Sequence, residues 1–229
     1  MSFVDATLCA AKKIIRALHE EENIFEEKGI GFGGDRSLKI DLIAEKIFIS
    51  SLSRYGNILS EESGFIDNNK SKNIIIDPID GSYNVSNHIP YFGCSVYLEN
   101  EIGVVVNLSN GDYFVRDGDN KYFDNLFRKP FKATYRNDVI IFEKAYKHPK
   151  LVEKLARYGL KFRAPGAVSL SLCYGENSKA VIFKGEFRKF DIEAAKFYNR
   201  DCFWFFEDDL MIMSPKQEDL DEVIAIIKE

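Results

Sequence analysis

Ile74-Ile75-Ile76-Asp77-Pro78-Ile79-Asp80-Gly81-Ser82 is the stretch of this chain with the most chemistry in it. Its apolar run reads as a buried strand. Two carboxylates around a proline follow, then a glycine and a hydroxyl. Strand interiors avoid such a cluster, so the motif marks where the strand ends. Asp-Pro-x-Asp aims hard oxygen donors at one point. Such donors suit Mg²⁺, which prefers a few carboxylates plus substrate phosphates over an all-protein cage. Gly81-Ser82 then opens a turn or helix whose free N–H groups can hold a phosphate. The same residues also fit an Asp-Pro turn followed by an ordinary Asp helix cap. Taken alone, they leave both readings open.

The chain has 229 residues, 45% of them hydrophobic and 29% charged. That composition predicts an ordinary soluble globular protein with a core large enough for one large domain or two small ones. A net charge of −5 argues against general nucleic-acid binding, which shows a basic footprint. Glu20-Glu21-Glu22 and Glu26-Glu27 read as a solvated helix end. No apolar run approaches the length of a membrane span. The opening residues lack a basic region followed by an apolar one, so no signal peptide is expected. Cys9, Cys94, Cys173 and Cys202 are scattered without a Cys-x-x-Cys pair, which predicts free thiols in a reducing cytoplasm. His19, His88 and His148 are isolated and give little support to a zinc site or a Ser-His-Asp triad.

Val4, Leu8, Ala11, Ile15 and Leu18 recur at helical spacing. Gly29, Gly31, Gly33 and Gly34 then interrupt regular structure and are followed by Asp35. This loop reads either as a mobile lid or as a linker, with no strand expected before it. A second helix is predicted from Ile40 to Tyr55 and a short strand from Asn57 to Ser60. Beyond the Asp-Pro motif the pattern turns to strands at Phe92–Leu98, Gly103–Leu108, Asp112–Arg116 and Lys121–Phe123. Asn110-Gly111 supplies a hairpin signal within them. Past Lys129-Pro130 the pattern alternates. Strands at Val139–Phe142, Phe162-Arg163, Ala180–Phe183 and Phe203–Phe206 alternate with helices at Pro149–Tyr158, Gly166–Tyr174, Asp191–Tyr198 and Glu218–Lys228. The expected division is therefore an α+β part over 1–130 and an α/β part over 131–229.

Three acidic stations accompany Asp77 and Asp80. Glu61-Glu62 stands where a strand ends, and Asp41 and Asp191 each open a helix. Taken singly, an acid in a first helical turn needs no functional explanation. Four segments together carry a resemblance. They are Ser60-Glu61-Glu62-Ser63, Ile76-Asp77-Pro78-Ile79-Asp80-Gly81-Ser82-Tyr83-Asn84, Gly166-Ala167-Val168-Ser169-Leu170-Ser171-Leu172-Cys173-Tyr174, and Phe190-Asp191-Ile192-Glu193-Ala194-Ala195. In order and spacing the chain resembles the inositol monophosphatase and fructose-1,6-bisphosphatase superfamily of magnesium-dependent, lithium-sensitive phosphatases, from the first helix to about Tyr198.

The resemblance implies a layered α-β-α-β-α sandwich of the α+β class, and a homodimer. It implies a metal site of Glu61, Asp77, the backbone carbonyl of Ile79, Asp80 and Asp191. It also implies that Asp41 and Ser82 position and deprotonate the attacking water, and that the N–H groups of Gly81 and Ser82 grip the phosphate. Two Mg²⁺ ions about 3.5–4 Å apart can clamp both oxygens of an in-line displacement. The family usually has threonine at the position of Ser82; serine keeps the oxygen.

A narrower resemblance, to the archaeal-type bifunctional branch, rests on Gly31-Phe32-Gly33-Gly34-Asp35, Lys39-Ile40-Asp41 and Gly81-Ser82-Tyr83-Asn84. It implies that Asp35 can meet a third Mg²⁺. Gly166, Lys184 and Arg188 are expected to face the substrate, with Lys184 meeting a second phosphate and Arg188 either helping it or holding an ordinary surface or ion-pair role. Lys196 and the short segment Gly175–Lys179 depart from the family pattern and bear on packing.

The expected activity is hydrolysis of small sugar or polyol phosphates, inositol 1-phosphate and fructose 1,6-bisphosphate among them. The alternatives are an adenosine 3′,5′-bisphosphate 3′-nucleotidase, an NADP phosphatase, and a non-catalytic phosphate- or metal-binding regulatory protein. No nucleic-acid or membrane partner is expected.

Overall fold

The computed structural model describes residues 1–130 and 136–229. Helix α1 (Phe3–Glu20) opens on a capping box in which Ser2 and Asp5 exchange hydrogen bonds. These bonds satisfy donors that a first helical turn otherwise leaves free. A hairpin of β1 (Glu27–Ile30) and β2 (Arg36–Leu38) leads into α2 (Lys39–Leu52). Then come β3 (Asn57–Ser60), β4 (Gly64–Ile66), β5 (Asn73–Asp80) and the short α3 (Ser82–Ser86). A meander follows, of β6 (Gly93–Leu98), β7 (Ile102–Asn107), β8 (Asp112–Asp117) and β9 (Asn120–Asn125). The remainder alternates. It contains β10 (Ile140–Glu143), α4 (Pro149–Arg157), β11 (Phe162–Arg163), α5 (Val168–Tyr174) and β12 (Ala180–Lys184). It closes with α6 (Lys189–Tyr198), β13 (Phe203–Glu207), β14 (Leu210–Ser214) and α7 (Gln217–Lys228).

The first sheet has seven strands in the order β4-β3-β5-β6-β7-β8-β9, and the second has five in the order β11-β10-β12-β14-β13. In the first, only β3 and β5 run parallel, whereas β10 runs parallel to both β11 and β12 in the second. Helices α1 and α2 cover the outer face of the first sheet, where Ile14 and Phe48 meet Ile58, Ile74 and Val104. Helices α5 and α6 lie between the sheets, where Leu170, Ala195 and Tyr198 pack with Val105, Phe114, Phe183 and Met211. Helices α4 and α7 close the far side through Leu155, Val223, Ile182 and Ile212. The result is the five-layer α-β-α-β-α sandwich of the α+β class that the resemblance implies.

β5 is the hinge of this arrangement. Ile74 and Ile76 point into the outer core and Ile75 into the inner one, as the two-residue period of a strand requires. Because both faces are buried, the sequence shows a continuous apolar run instead of alternation.

Several expectations need correction. The glycine-rich segment lies in the β1–β2 hairpin, so a strand does precede it. All residues of β1 are exposed, so it carries no apolar periodicity to read. The buried face of α1 is wider than expected: Val4 and Ala11 are buried as expected, Ala6, Ala10 and Ile14 join them at 2% exposure or less, and Leu8, Ile15 and Leu18 are half-buried against the same core. Strands β4 and β14 were not anticipated. The expected division between residues 130 and 131 falls at the edge of the described residues.

Candidate active site

Pro78 shapes the site. It has no N–H to give to a neighbouring strand. At this point the pairing of β5 with β6 slips: Asp77 faces Ser95, but Asp80 faces Gly93. One extra residue on β5 makes a bulge, a device that re-aims side chains at a strand end. The Ile79 N–H donates to Asp77 Oδ1 at 3.0 Å inside this bulge. Gly81 follows with φ of 93°, in the left-handed region, and caps α3. A Cβ there would lie 3.2 Å from Ala167 Cβ, the Gly166 carbonyl and the Tyr91 carbonyl. Both the backbone conformation and the crowding therefore call for glycine.

Three carboxylates converge beside this bulge. Glu61 follows the end of β3, Asp77 lies on β5, and Asp191 is in the first turn of α6. One oxygen from each lies within 4.8 Å of the others, and all three residues are buried. Burial pushes the Glu61 carboxyl up to about 7, against the opposing pull of Arg188. Burial pushes Asp77 well above the usual carboxylate range, and the nearby charges of Glu61, Asp80 and Asp191 push it further. A dense, buried set of hard oxygen donors whose ionised forms are disfavoured fits a divalent cation such as Mg²⁺.

Asp80 faces a different neighbour. It accepts from the Val168 N–H at 3.1 Å, the Ser169 N–H at 2.7 Å and the Ser169 hydroxyl. It thereby caps α5, whose own N-cap, Ala167, has no side-chain oxygen. Burial, then Asp191, push Asp80 up to about 7.

Asp41 and Ser82 come together from opposite ends of the motif region. Asp41 Oδ2 accepts from the Leu38 N–H at 2.7 Å, while Oδ1 accepts from Ser82 Oγ at 3.1 Å. The same hydroxyl lies 3.0 Å from the Ile79 carbonyl. Burial pushes the Asp41 carboxyl up to about 7. The N–H groups at the start of α3 have no acceptor within that helix.

The cations are placed differently from the expectation. Lys184 ends β12 and pairs with Asp209, in the turn between β13 and β14. Arg188 is the cation inside the carboxylate cluster. Its Nε and Nη2 donate to Asp191 at 3.0 and 2.8 Å, and Nη1 lies 2.7 Å from both Asp35 and Glu61. The geometry thus gives Arg188 the ion-pair role that the sequence left open and ties Lys184 to Asp209.

Other residues act here without having been singled out as site residues. Glu143, at the end of β10, accepts from the Gly166 N–H at 3.1 Å and from the Ser171 hydroxyl. Asn84 Nδ2 donates to the Tyr91 carbonyl at 2.6 Å and the Pro165 carbonyl at 2.7 Å. Together they fix the loop that carries Gly166. Glu45 accepts from Ser63 N–H and Oγ at 3.0 and 2.6 Å and so holds the turn after Glu61-Glu62. A carboxylate at the end of an apolar strand was the available signal for Glu143. Glu45 lies mid-helix and carried none.

No family model matches the chain. The fructose-1,6-bisphosphatase/inositol-1-monophosphatase of Methanocaldococcus jannaschii is 35% identical over 153 residues, covering 64% of this chain and 60% of that protein. The bifunctional NADP phosphatase/NAD kinase of Methanococcus maripaludis is 32% identical over 152 residues, covering 54% of this chain and 27% of that protein. The chain therefore spans less than two thirds of the length of these relatives. A crystal structure of an inositol monophosphatase–fructose 1,6-bisphosphatase superposes with a TM-score of 0.80 at 24% identity, covering 99% of this chain and 100% of the other.

Proposed function

We propose that this chain is a Mg²⁺-dependent phosphomonoesterase of small sugar or polyol phosphates, of the inositol monophosphatase/fructose-1,6-bisphosphatase superfamily; the partial similarity to curated relatives and the shared fold support this reading. The observation that carries the reading is a juxtaposition. The carboxylates of Glu61, Asp77 and Asp191 converge beside the Asp41–Ser82 hydrogen bond and the start of α3.

In this reading Glu61, Asp77, Asp80, Asp191 and the Ile79 carbonyl hold Mg²⁺, two or three ions per site with Asp35 serving the third. The metal supplies Lewis-acid stabilisation of developing charge and activation of water. The chain's own groups do the rest. Ser82 Oγ, held by Asp41 and the Ile79 carbonyl, orients the attacking water, and Asp41 takes its proton. A carboxyl pushed up to about 7 suits that task, because a general base works best with a pKa near the working pH. The N–H groups of Gly81 and Ser82 bind the phosphate oxygens. Asp80 and Glu143 fix the Gly166 loop against the substrate side.

The metal motifs then belong to residues 1–130, and Asp191 and the substrate contacts to 131–229. We place the protein in the cytoplasm as a homodimer. Among the described residues no helix is long and apolar enough to cross a membrane.

The similarity to a protein named as an NADP phosphatase supports a second reading, dephosphorylation of a nucleotide. One panel separates the two. Phosphate release is measured from inositol 1-phosphate, fructose 1,6-bisphosphate, NADP and adenosine 3′,5′-bisphosphate, with and without Mg²⁺ and with added lithium. The expected result is Mg²⁺-dependent, lithium-inhibited release, fastest from the first two. Release from none of the four would favour the non-catalytic alternative.

A further inference from the structure

We infer that Arg188 is a built-in rival of the metal: its guanidinium competes with a divalent ion for Glu61 and Asp191, and the same side chain fastens the glycine-rich hairpin over the site. The inference rests on the metal-dependent reading of the cluster.

The guanidinium bridges three elements. Nε and Nη2 grip both oxygens of Asp191, at 3.0 and 2.8 Å, in the first turn of α6. Nη1 lies 2.7 Å from Glu61 Oε1, just past the end of β3. It also donates to Asp35 Oδ2 at 2.7 Å and to the Gly33 carbonyl at 3.3 Å, both in the β1–β2 turn. A planar fork with five donors is suited to such a multiple grip; a lysine ammonium is not. A guanidinium keeps its charge in a protein, so the site always holds this cation.

Two of its three carboxylate partners belong to the candidate metal cluster. An oxygen that accepts from Arg188 presents less of its lone-pair density to an ion. Two cations held by the same few oxygens also repel each other strongly where burial lowers the dielectric. Mg²⁺ must therefore draw Glu61 and Asp191 from Arg188 in part or entirely.

That exchange reaches the hairpin through short links. The Phe32 N–H donates to the Glu62 carbonyl at 3.0 Å, and the Gly33 N–H to the Glu61 carbonyl at 2.7 Å. A Cβ on Gly33 would lie 2.6 Å from Glu61 Cγ, so this close seating depends on glycine. Asp35 is mostly exposed, and its ion pair with Arg188 is the side-chain tie at the tip. When Mg²⁺ takes Glu61 and Asp191, the Arg188 contacts loosen, and the tip gains freedom until a third ion reaches Asp35. The hairpin is thereby coupled to metal occupancy.

The test is a calorimetric titration of Mg²⁺ into the parent protein, Arg188→Gln and Arg188→Lys. Hydrogen exchange of residues 31–35 is measured in each with and without Mg²⁺. Arg188→Gln should bind Mg²⁺ about tenfold more tightly than the parent, with Arg188→Lys nearer the parent. In the parent, Mg²⁺ added up to the level that fills the Glu61–Asp77–Asp191 cluster should speed exchange in the hairpin. In Arg188→Gln, exchange should already be fast without it. Equal or weaker Mg²⁺ binding by Arg188→Gln would overturn the inference and leave the metal-dependent reading intact. No Mg²⁺ binding by the parent would overturn both. Should Arg188→Gln fail to fold, Asp35→Asn removes only the exposed arm. It should speed hairpin exchange without Mg²⁺, and unchanged exchange would overturn the fastening role.

Discussion

Ser82 Oγ donates to Asp41 Oδ1 at 3.1 Å, across a separation of 41 residues in sequence. Asp41 is held from its other side by the Leu38 N–H, so one carboxylate both caps α2 and anchors the hydroxyl.

Ser82→Ala should lower kcat by about 10²–10⁴-fold, as expected for a lost water-positioning group. KM should change little, because the Ser82 N–H survives the substitution. Asp41→Asn should cost a similar factor. The double variant should be no slower than the worse single one, as for residues that act together. Steady-state kinetics on inositol 1-phosphate gives the answer, and an unchanged kcat in Ser82→Ala would reduce the hydroxyl to a helix cap.

Asp77→Asn should slow turnover by more than about a hundredfold and weaken Mg²⁺ binding measured by calorimetry. Asp77 shares the buried cluster with Glu61 and Asp191, and burial with the charges of Glu61, Asp80 and Asp191 pushes its carboxyl far up. The substitution should also raise thermal stability in EDTA at neutral pH, since folding no longer has to protonate that carboxyl. A variant with turnover within about tenfold of the parent would remove Asp77 from the metal site.

Stability in EDTA should fall as pH rises. Asp41, Glu61 and Asp80 start from ordinary values of 3.8, 4.5 and 3.8 and are each pushed up to about 7 in the folded chain. The folded state therefore binds more protons than the unfolded one between those limits. The stabilisation from protonation is full below about 4 and is lost as pH climbs through about 7. Mg²⁺ needs the ionised forms, so it should offset the loss increasingly at higher pH. Melting temperatures at several values from about pH 5 to about pH 8, in EDTA and in Mg²⁺, test this. A melting temperature in EDTA that climbs across this range would contradict the sign.

Lys184→Ala should change kcat/KM for fructose 1,6-bisphosphate and for inositol 1-phosphate by less than about threefold, since an exposed ion pair contributes little. Sequence position alone suggests a bisphosphate-selective loss, but the ammonium is taken up by Asp209. A selective loss on the bisphosphate would restore Lys184 to the substrate side.

Much of the arrangement was legible because it is local. Strands β3, β5 and β6 and the meander carry apolar runs and an Asn-Gly turn. Helices α1, α2, α4 and α7 carry periodicity or a proline start. What could not be read depends on pairing. β1 has no buried residue, β4 has three residues, and β14 is buried throughout and shows no alternation. The site divides in the same way. Asp77, Asp80, Gly81 and Ser82 stand within six residues, and the chain geometry of a bulged strand end keeps them together.

By itself, then, the sequence determined the succession of helices and strands and the set of acids and hydroxyls that can do phosphoryl chemistry, because these follow from periodicity and residue type; the layered sandwich was implied only by the family resemblance. Only the tertiary structure decided which of them share a space. It closed the gap between Asp41 and Ser82, brought Asp191 to Glu61 and Asp77, and turned Asp80 onto α5. It also put Arg188 rather than Lys184 among the carboxylates. Those placements depend on how two sheets and the helices between them pack, a long-range balance of burial and charge that no single segment encodes.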